Sequence, residues 1–213
     1  MGCIIKGLFL HTETVFVQKN ILRDTTRHTI LAEARLVFAL RGPNNTTMEH
    51  VAKASGFGRR TIYTYFRTRE ELYHEVIQNE VARIIKALTR VTQMKISPEK
   101  KLARFMITHM KAIENIIRKD RLLRTEFLNR SEKIEHFRQI IDSSEIECLT
   151  LIFEEGTQSG LFLVENYHAT AILALTTLKG LENQFILDNF GKPSRETLEL
   201  WQKILVQGIK ASA

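Results

Sequence analysis

Apolar positions along this chain recur at helical spacing. Ile30, Ala34, Val37 and Phe38 form a stripe that continues to Arg41, and Gly42-Pro43-Asn44-Asn45 stops it. The pattern predicts a helix from about Thr26, then a short one from Thr46, with Thr46 and Glu49 in the T-x-x-E spacing of a capping box. Met48, Val51, Ala52 and Ser55 are its expected inward face. Gly56-Phe57-Gly58 breaks it, and a further helix is expected over 59–66. Thr68 to Glu71 reads as a second capping box opening a longer helix to about 90, with Leu72, Val76, Ala82, Ile85 and Leu88 among its apolar positions. Beyond Ser97-Pro98, helices are expected near 98–118, 121–129, 132–158, 167–189 and 194–210. Lys119-Asp120, Arg130-Ser131, Gly156 to Gly160 and Gly191-Lys192-Pro193-Ser194 are the expected breaks. No run alternates over five residues outside residues 1–20, which read as an arm, strand-like or disordered. The fold class is all-α: a three-helix head with helix-turn-helix character at 21–68, a connecting helix at 69–90, and an antiparallel helical bundle at 91–213.

The stretch 46–66, TTMEHVAKASGFGRRTIYTYF, carries the most specific chemistry. On a helix over 59–66, Ile62 and Phe66 share one face, and Phe57 can join them. Arg59 with Tyr63, and Arg60 with Thr64, make the opposite face. Apolar residues therefore anchor the helix while bases and hydroxyls project. Arginine forks onto guanine or phosphate, and Thr and Tyr hydroxyls donate to phosphate oxygens. Two short helices around a glycine-containing turn, the second presenting such a face, form a helix-turn-helix with a recognition helix.

Charge strengthens this reading. The 213-residue chain has a net charge of +7, and residues 21–90 hold twelve Lys and Arg against seven Asp and Glu. The excess lies around the opening motif, as expected for a polyanion-binding region. Cys3 and Cys148 form neither a C-x-x-C pair nor a Cys/His cluster, so reduced thiols in a cytoplasmic protein fit best. No apolar run approaches the roughly 20 residues of a membrane span.

The head resembles the DNA-binding domain of the TetR family of repressors. Ile30, Ala34, Val37, Phe38 and Gly42 match the family's first helix. Thr46, Thr47, Val51, Ala52, Gly56, Thr61, Ile62, Tyr63, Tyr65, Phe66 and Leu72 match the rest, with Arg69 at the usual Lys. The likeness covers residues 26–77. It implies DNA contacts from Thr47, Arg59, Arg60, Thr61, Tyr63, Thr64, Tyr65 and Arg69, with Lys53, Arg67, Lys19, Arg23 and Arg27 as secondary phosphate contacts. Two positions depart from the pattern: Gly58 replaces the usual Ser before the recognition helix, and Arg60 the usual small residue.

The resemblance further implies a ligand-responsive regulator without enzymatic activity or cofactor, acting on double-stranded DNA as a homodimer that a small molecule releases. Residues 91–213 would then sense the ligand and dimerise. Phe105, Met106, His109, Met110, Phe127 and Phe137 are soft or apolar candidates for a pocket wall. The segment AILALTTLKGLENQFIL is apolar on more than one face, which suggests a core side and a partner side. Leu175, Leu178, Leu181, Trp201 and Leu205 are the expected dimer contacts. The alternative is a metal-bearing helical-bundle oxidoreductase with a vestigial head, based on two Glu-x-x-His pairs, Glu71/His74 and Glu165/His168.

Overall fold

The computed structural model describes residues 3–119, 132–186 and 195–210, with side chains over 22–115, 135–182 and 196–210. The described helices are α1 (Cys3–Arg41), α2 (Met48–Ser55), α3 (Arg59–Tyr65), α4 (Arg69–Thr92), α5 (Pro98–Lys119), α6 (Glu132–Gln158), α7 (Tyr167–Ile186) and α8 (Arg195–Ile209). Among the described residues there is no β-strand beyond an isolated bridge between Phe162 and Lys210, and no helix long and apolar enough to cross a membrane. The all-α expectation holds; the helix expected at 121–129 lies outside the described residues.

The chain forms two compact units, 1–77 and 78–213. The division falls inside α4 rather than at its ends. Leu72 and Val76 of that helix join the core of the first unit, whereas Leu88 and Val91 join the core of the second.

In the first unit, Ile30, Leu31, Ala34 and Phe38 of α1 pack with Met48, Val51 and Ala52 of α2, Ile62 of α3 and Phe66 just after it. Phe38 meets Tyr73 edge-on, with ring centroids 5.0 Å apart. Gly42 ends α1 at φ 87°, and its N–H donates to Phe38 O. Gly56 caps α2 at φ 71°, a left-handed conformation that glycine reaches without strain.

Three local expectations are corrected here. First, α1 begins at Cys3, where an arm was expected over 1–20; no Gly or Pro interrupts the sequence from Leu8 to Arg41. Second, the N-cap of α2 is Thr47, not Thr46. His50 N donates to Thr47 Oγ1, Thr47 N donates to His50 Nδ1, and the buried Thr46 hydroxyl turns back to Gly42 O at 2.7 Å. Third, the carboxylate of the second box is displaced. Thr68 Oγ1 accepts from Glu71 N as expected, but Glu71 accepts from Arg67 N rather than from Thr68 N.

The second unit is built on Leu102, Phe105, Met106 and Met110 of α5, Leu149, Ile152 and Phe153 of α6, and Ala171, Ala174, Leu175 and Leu178 of α7. Trp201, Leu205, Val206 and Ile209 of α8 pack partly buried against that core. Buried Lys101 ties the start of α5 to its surroundings, reaching Thr92 O at 2.7 Å and Glu155 at 2.6 Å. Gly156, expected as a break, lies inside α6. Its missing side chain makes room for the Phe162 ring, which folds back against it.

Candidate nucleic-acid interface

Helix α3 spans seven residues, and the first unit holds it from one side. Ile62 and the adjoining Phe66 are fully buried, and Phe57 and Tyr65 are partly buried against the same core. Gly58 precedes the helix in an extended conformation with no side-chain cap, as the Gly-for-Ser departure requires.

The opposite face carries the polar groups. The Arg59 side chain is 63% exposed; it lies 5.7 Å over the Tyr63 ring and 3.6 Å from Glu49 of α2. Tyr63 and then Glu49 raise its pKa above the ordinary arginine value, so its charge is permanent. Arg60 and Thr64 are exposed, and the Thr64 hydroxyl donates to Arg60 O at 3.0 Å. Tyr63 is exposed at the centre of this face. Arg59 lies on its ring, and cation–π contact holds both groups without burying either charge or hydroxyl.

Of the eight residues that sequence reasoning selected, Arg59, Arg60, Tyr63 and Thr64 therefore form one exposed face of α3. Thr47 is exposed at the start of α2, with its oxygen engaged in the cap. Thr61 and Tyr65 are half-buried, and Tyr65 turns toward the core, its ring centroid 6.5 Å from that of Phe66. Arg69 bonds Asn44 O at 3.1 Å and the Glu70 carboxylate, bracing the loop after α1. Among the secondary cations, Arg27 pairs with Glu75 and lies 5.4 Å over the Phe66 ring, an internal strut rather than a free charge. Arg23, Lys53 and Arg67 are exposed; the Lys19 side chain lies outside the described residues.

The residues expected to wall a pocket in the second unit fall in different places. Phe105, Met106 and Met110 belong to the apolar core, and Phe137 is buried outside the cavity lining; Phe127 lies outside the described residues. His109 alone of that set lines a cavity of about 20 Å³, with Arg138, Asp142, Glu145, Lys179 and Glu182 on its polar side. Sequence reasoning missed these five, although a signal existed. Glu145 stands four residues after Ile141 and four before Leu149, and Glu182 four after Leu178, so both carboxylates occupy apolar-stripe positions.

The expected dimer residues also divide. Leu175 and Leu178 are buried in the chain's own core, and Leu181, Trp201 and Leu205 are partly buried. Among the described residues of α7 and α8, the exposed large apolar side chains are Ile172, Leu173, Leu200 and Ile204. The two Glu-x-x-His pairs lie in different units. Glu71 caps α4 in the first unit, while Glu165 precedes α7 in the second, and both Glu165 and His168 are exposed. The described residues contain no group of three or more His, Cys, Asp and Glu arranged for a metal ion.

Residues 30–76 match the model of the bacterial regulatory proteins of the tetR family. An uncharacterised HTH-type transcriptional regulator of Bacillus subtilis, YfiR, is 38% identical over 56 residues, which is 26% of this chain and 27% of that protein. The match thus spans about a quarter of the curated relative. Crystal structures with similar folds include a regulator assigned to the TetR family from Mesorhizobium loti, with a TM-score of 0.69 at 18% identity over 87% of this chain and 95% of that one. Another is a TetR/AcrR-family regulator from Thermobifida fusca, with a TM-score of 0.61 at 21% identity over 85% and 97%. A third is the transcriptional regulator FadR from Bacillus subtilis in complex with stearoyl-CoA, with a TM-score of 0.61 at 19% identity over 85% and 98%. The head, residues 30–76, thus matches the tetR family of bacterial regulatory proteins, and the helical fold is similar to that of solved TetR-family regulators.

Proposed function

We propose that the protein is a ligand-responsive transcriptional repressor that binds a pseudo-palindromic operator as a homodimer and is released by a small molecule. The observation that carries this reading is the two-sided character of α3. Ile62 and Phe66 are buried, while Arg59, Arg60, Tyr63 and Thr64 are exposed together on its other face. A helix anchored on one side and presenting forked cations and hydroxyls on the other suits the major groove. Thr47 and Arg69 flank it as phosphate contacts. The exposed Ile172 and Leu173 on α7, with Leu200 and Ile204 on α8, supply apolar surface for pairing two chains, which would bring two recognition helices to successive half-sites. Ligand response is supported by the similarly folded FadR, which holds stearoyl-CoA. A small molecule acts through unequal affinity for the DNA-competent state and the released state.

The test begins with selection of bound sequences from random duplex DNA, which yields the operator and its half-site spacing. The Arg59→Ala/Tyr63→Ala double variant is expected to lose specific binding to that operator while keeping its circular-dichroism spectrum and dimer mass. Wild-type affinity should fall steeply as salt rises. Undiminished specific binding by the double variant would remove α3 as the reading head.

A further inference from the structure

Helix α2 carries one acid that its cap leaves unused. Glu49 stands in the first turn, three residues after Thr46, where the sequence spacing assigns it to a capping box. The box that forms takes Thr47 and His50 instead, with both bonds made between those two residues. The Glu49 side chain is 74% exposed and lies against the projecting face of α3, its Oε2 3.6 Å from Arg59 Nη1. It is the one Asp or Glu between Thr46 and Phe66. An exposed ion pair of this kind stabilises a fold little. A carboxylate on a surface that meets phosphates also opposes binding to any duplex.

The two arginines of α3 are held differently. Arg59 lies 5.7 Å over the Tyr63 ring with Glu49 beside it, so ring and carboxylate together restrict its long side chain. At 3.6 Å the carboxylate attracts Nη1 without accepting a hydrogen bond from it, which leaves that edge of the fork for another acceptor. Arg60 is exposed and makes no ion pair among the described residues. These arrangements suit different targets. Phosphate oxygens recur along both strands and accept a cation from many directions, so an unrestricted arginine serves. Guanine O6 and N7 accept a fork set in their plane, and a side chain already restricted loses less entropy on meeting them.

We propose that Glu49 is a specificity-determining residue of the DNA-reading face. With Tyr63 it positions Arg59 for the O6 and N7 edge of a guanine, and its charge disfavours duplexes that lack this guanine, while Arg60 contacts phosphate. Where the guanine is present, the bonds of the fork offset the repulsion; elsewhere the repulsion stands alone. The inference rests on the reading of the protein as an operator-binding regulator.

Selection from random duplex DNA with the full chain gives the preferred site. Titrations of that duplex, its single-base variants and a random-sequence duplex then measure discrimination. Arg59→Lys keeps the charge without the fork. It should reduce the preference for one G·C pair per half-site by about tenfold and leave random-duplex affinity unchanged. Glu49→Gln should reduce the same preference by about threefold and tighten random-duplex binding by a similar factor. Arg60→Ala should weaken all duplexes alike and lower the magnitude of the salt slope by about one per chain. An acid also suits the first turn of α2, but lost helix stability would weaken every duplex equally, so a change confined to one base pair separates positioning from support. Three results would overturn the assignment: Glu49→Gln leaves the G·C preference and random-duplex affinity unchanged, it weakens all duplexes alike, or Arg60→Ala rather than Arg59→Lys erases the preference. Any of these, with a wild type that selects a defined site, refutes this assignment alone. A wild type that binds all duplexes equally refutes the regulator reading together with it.

Discussion

Stability should fall with rising pH through His109, and the size of the fall follows from its surroundings. The folded-state pKa, near 10, lies above the ordinary histidine value of 6.5. A group with a raised folded pKa stabilises the fold fully below its unfolded pKa, and that contribution disappears as pH rises through the folded pKa. The window is therefore pH 6.5 to about 10. A shift of this size corresponds to roughly 5 kcal/mol in all, lost at about 1.4 kcal/mol per pH unit within the window. The measurement is urea denaturation of wild type and His109→Gln at several pH values between 7 and 9.5. The variant should be less stable at pH 7 by about 3–5 kcal/mol, because two buried carboxylates lose their cation. The wild-type advantage should then shrink steadily with pH. Burial also pushes the Cys148 thiol up in pKa, and this costs stability in the same alkaline direction. It is common to both proteins and drops out of the difference. A wild-type advantage constant across this range would show that His109 is not held as an imidazolium between Glu145 and Glu182.

Two further outcomes test the packing around these elements. A Cβ on Gly156 would lie 2.0 Å from the Phe162 ring, which is itself buried, so Gly156→Ala should destabilise the chain by about 1–3 kcal/mol in chemical denaturation. Thr47→Ala removes the oxygen that caps α2 and should cost about 1 kcal/mol, whereas Thr47→Asn should retain most of it.

Much of the architecture is legible in the linear pattern. Pro98 opens α5, and the expected limits of α6 at 132 and 158 coincide with those observed. The faces of α3 follow directly from the spacing of Ile62 and Phe66 against Arg59 and Tyr63. These features depend on contacts within about one helical turn, where periodicity and glycine punctuation act directly.

Other features depend on what lies across from a residue. Gly156 reads as a break until Phe162 is seen to occupy the space beside it. Tyr65 reads as part of the exposed face, yet it packs toward Phe66 and the core. Leu175 and Leu178 form one of two apolar stripes on α7, and only the packing of α5 and α6 shows that this stripe faces the chain's own core, leaving Ile172 and Leu173 exposed.

The sequence by itself determined most of the described helices beyond residue 20, the turn between α2 and α3, and the division of α3 into an anchoring and a projecting face. Tertiary structure alone decided that His109, Glu145 and Glu182, separated in the chain by 36 residues or more, share one buried cluster. Helical periodicity records which side of a helix is apolar. It carries no information about which charge on a distant helix will neutralise a polar residue placed on that side, because that pairing exists only once the helices have packed.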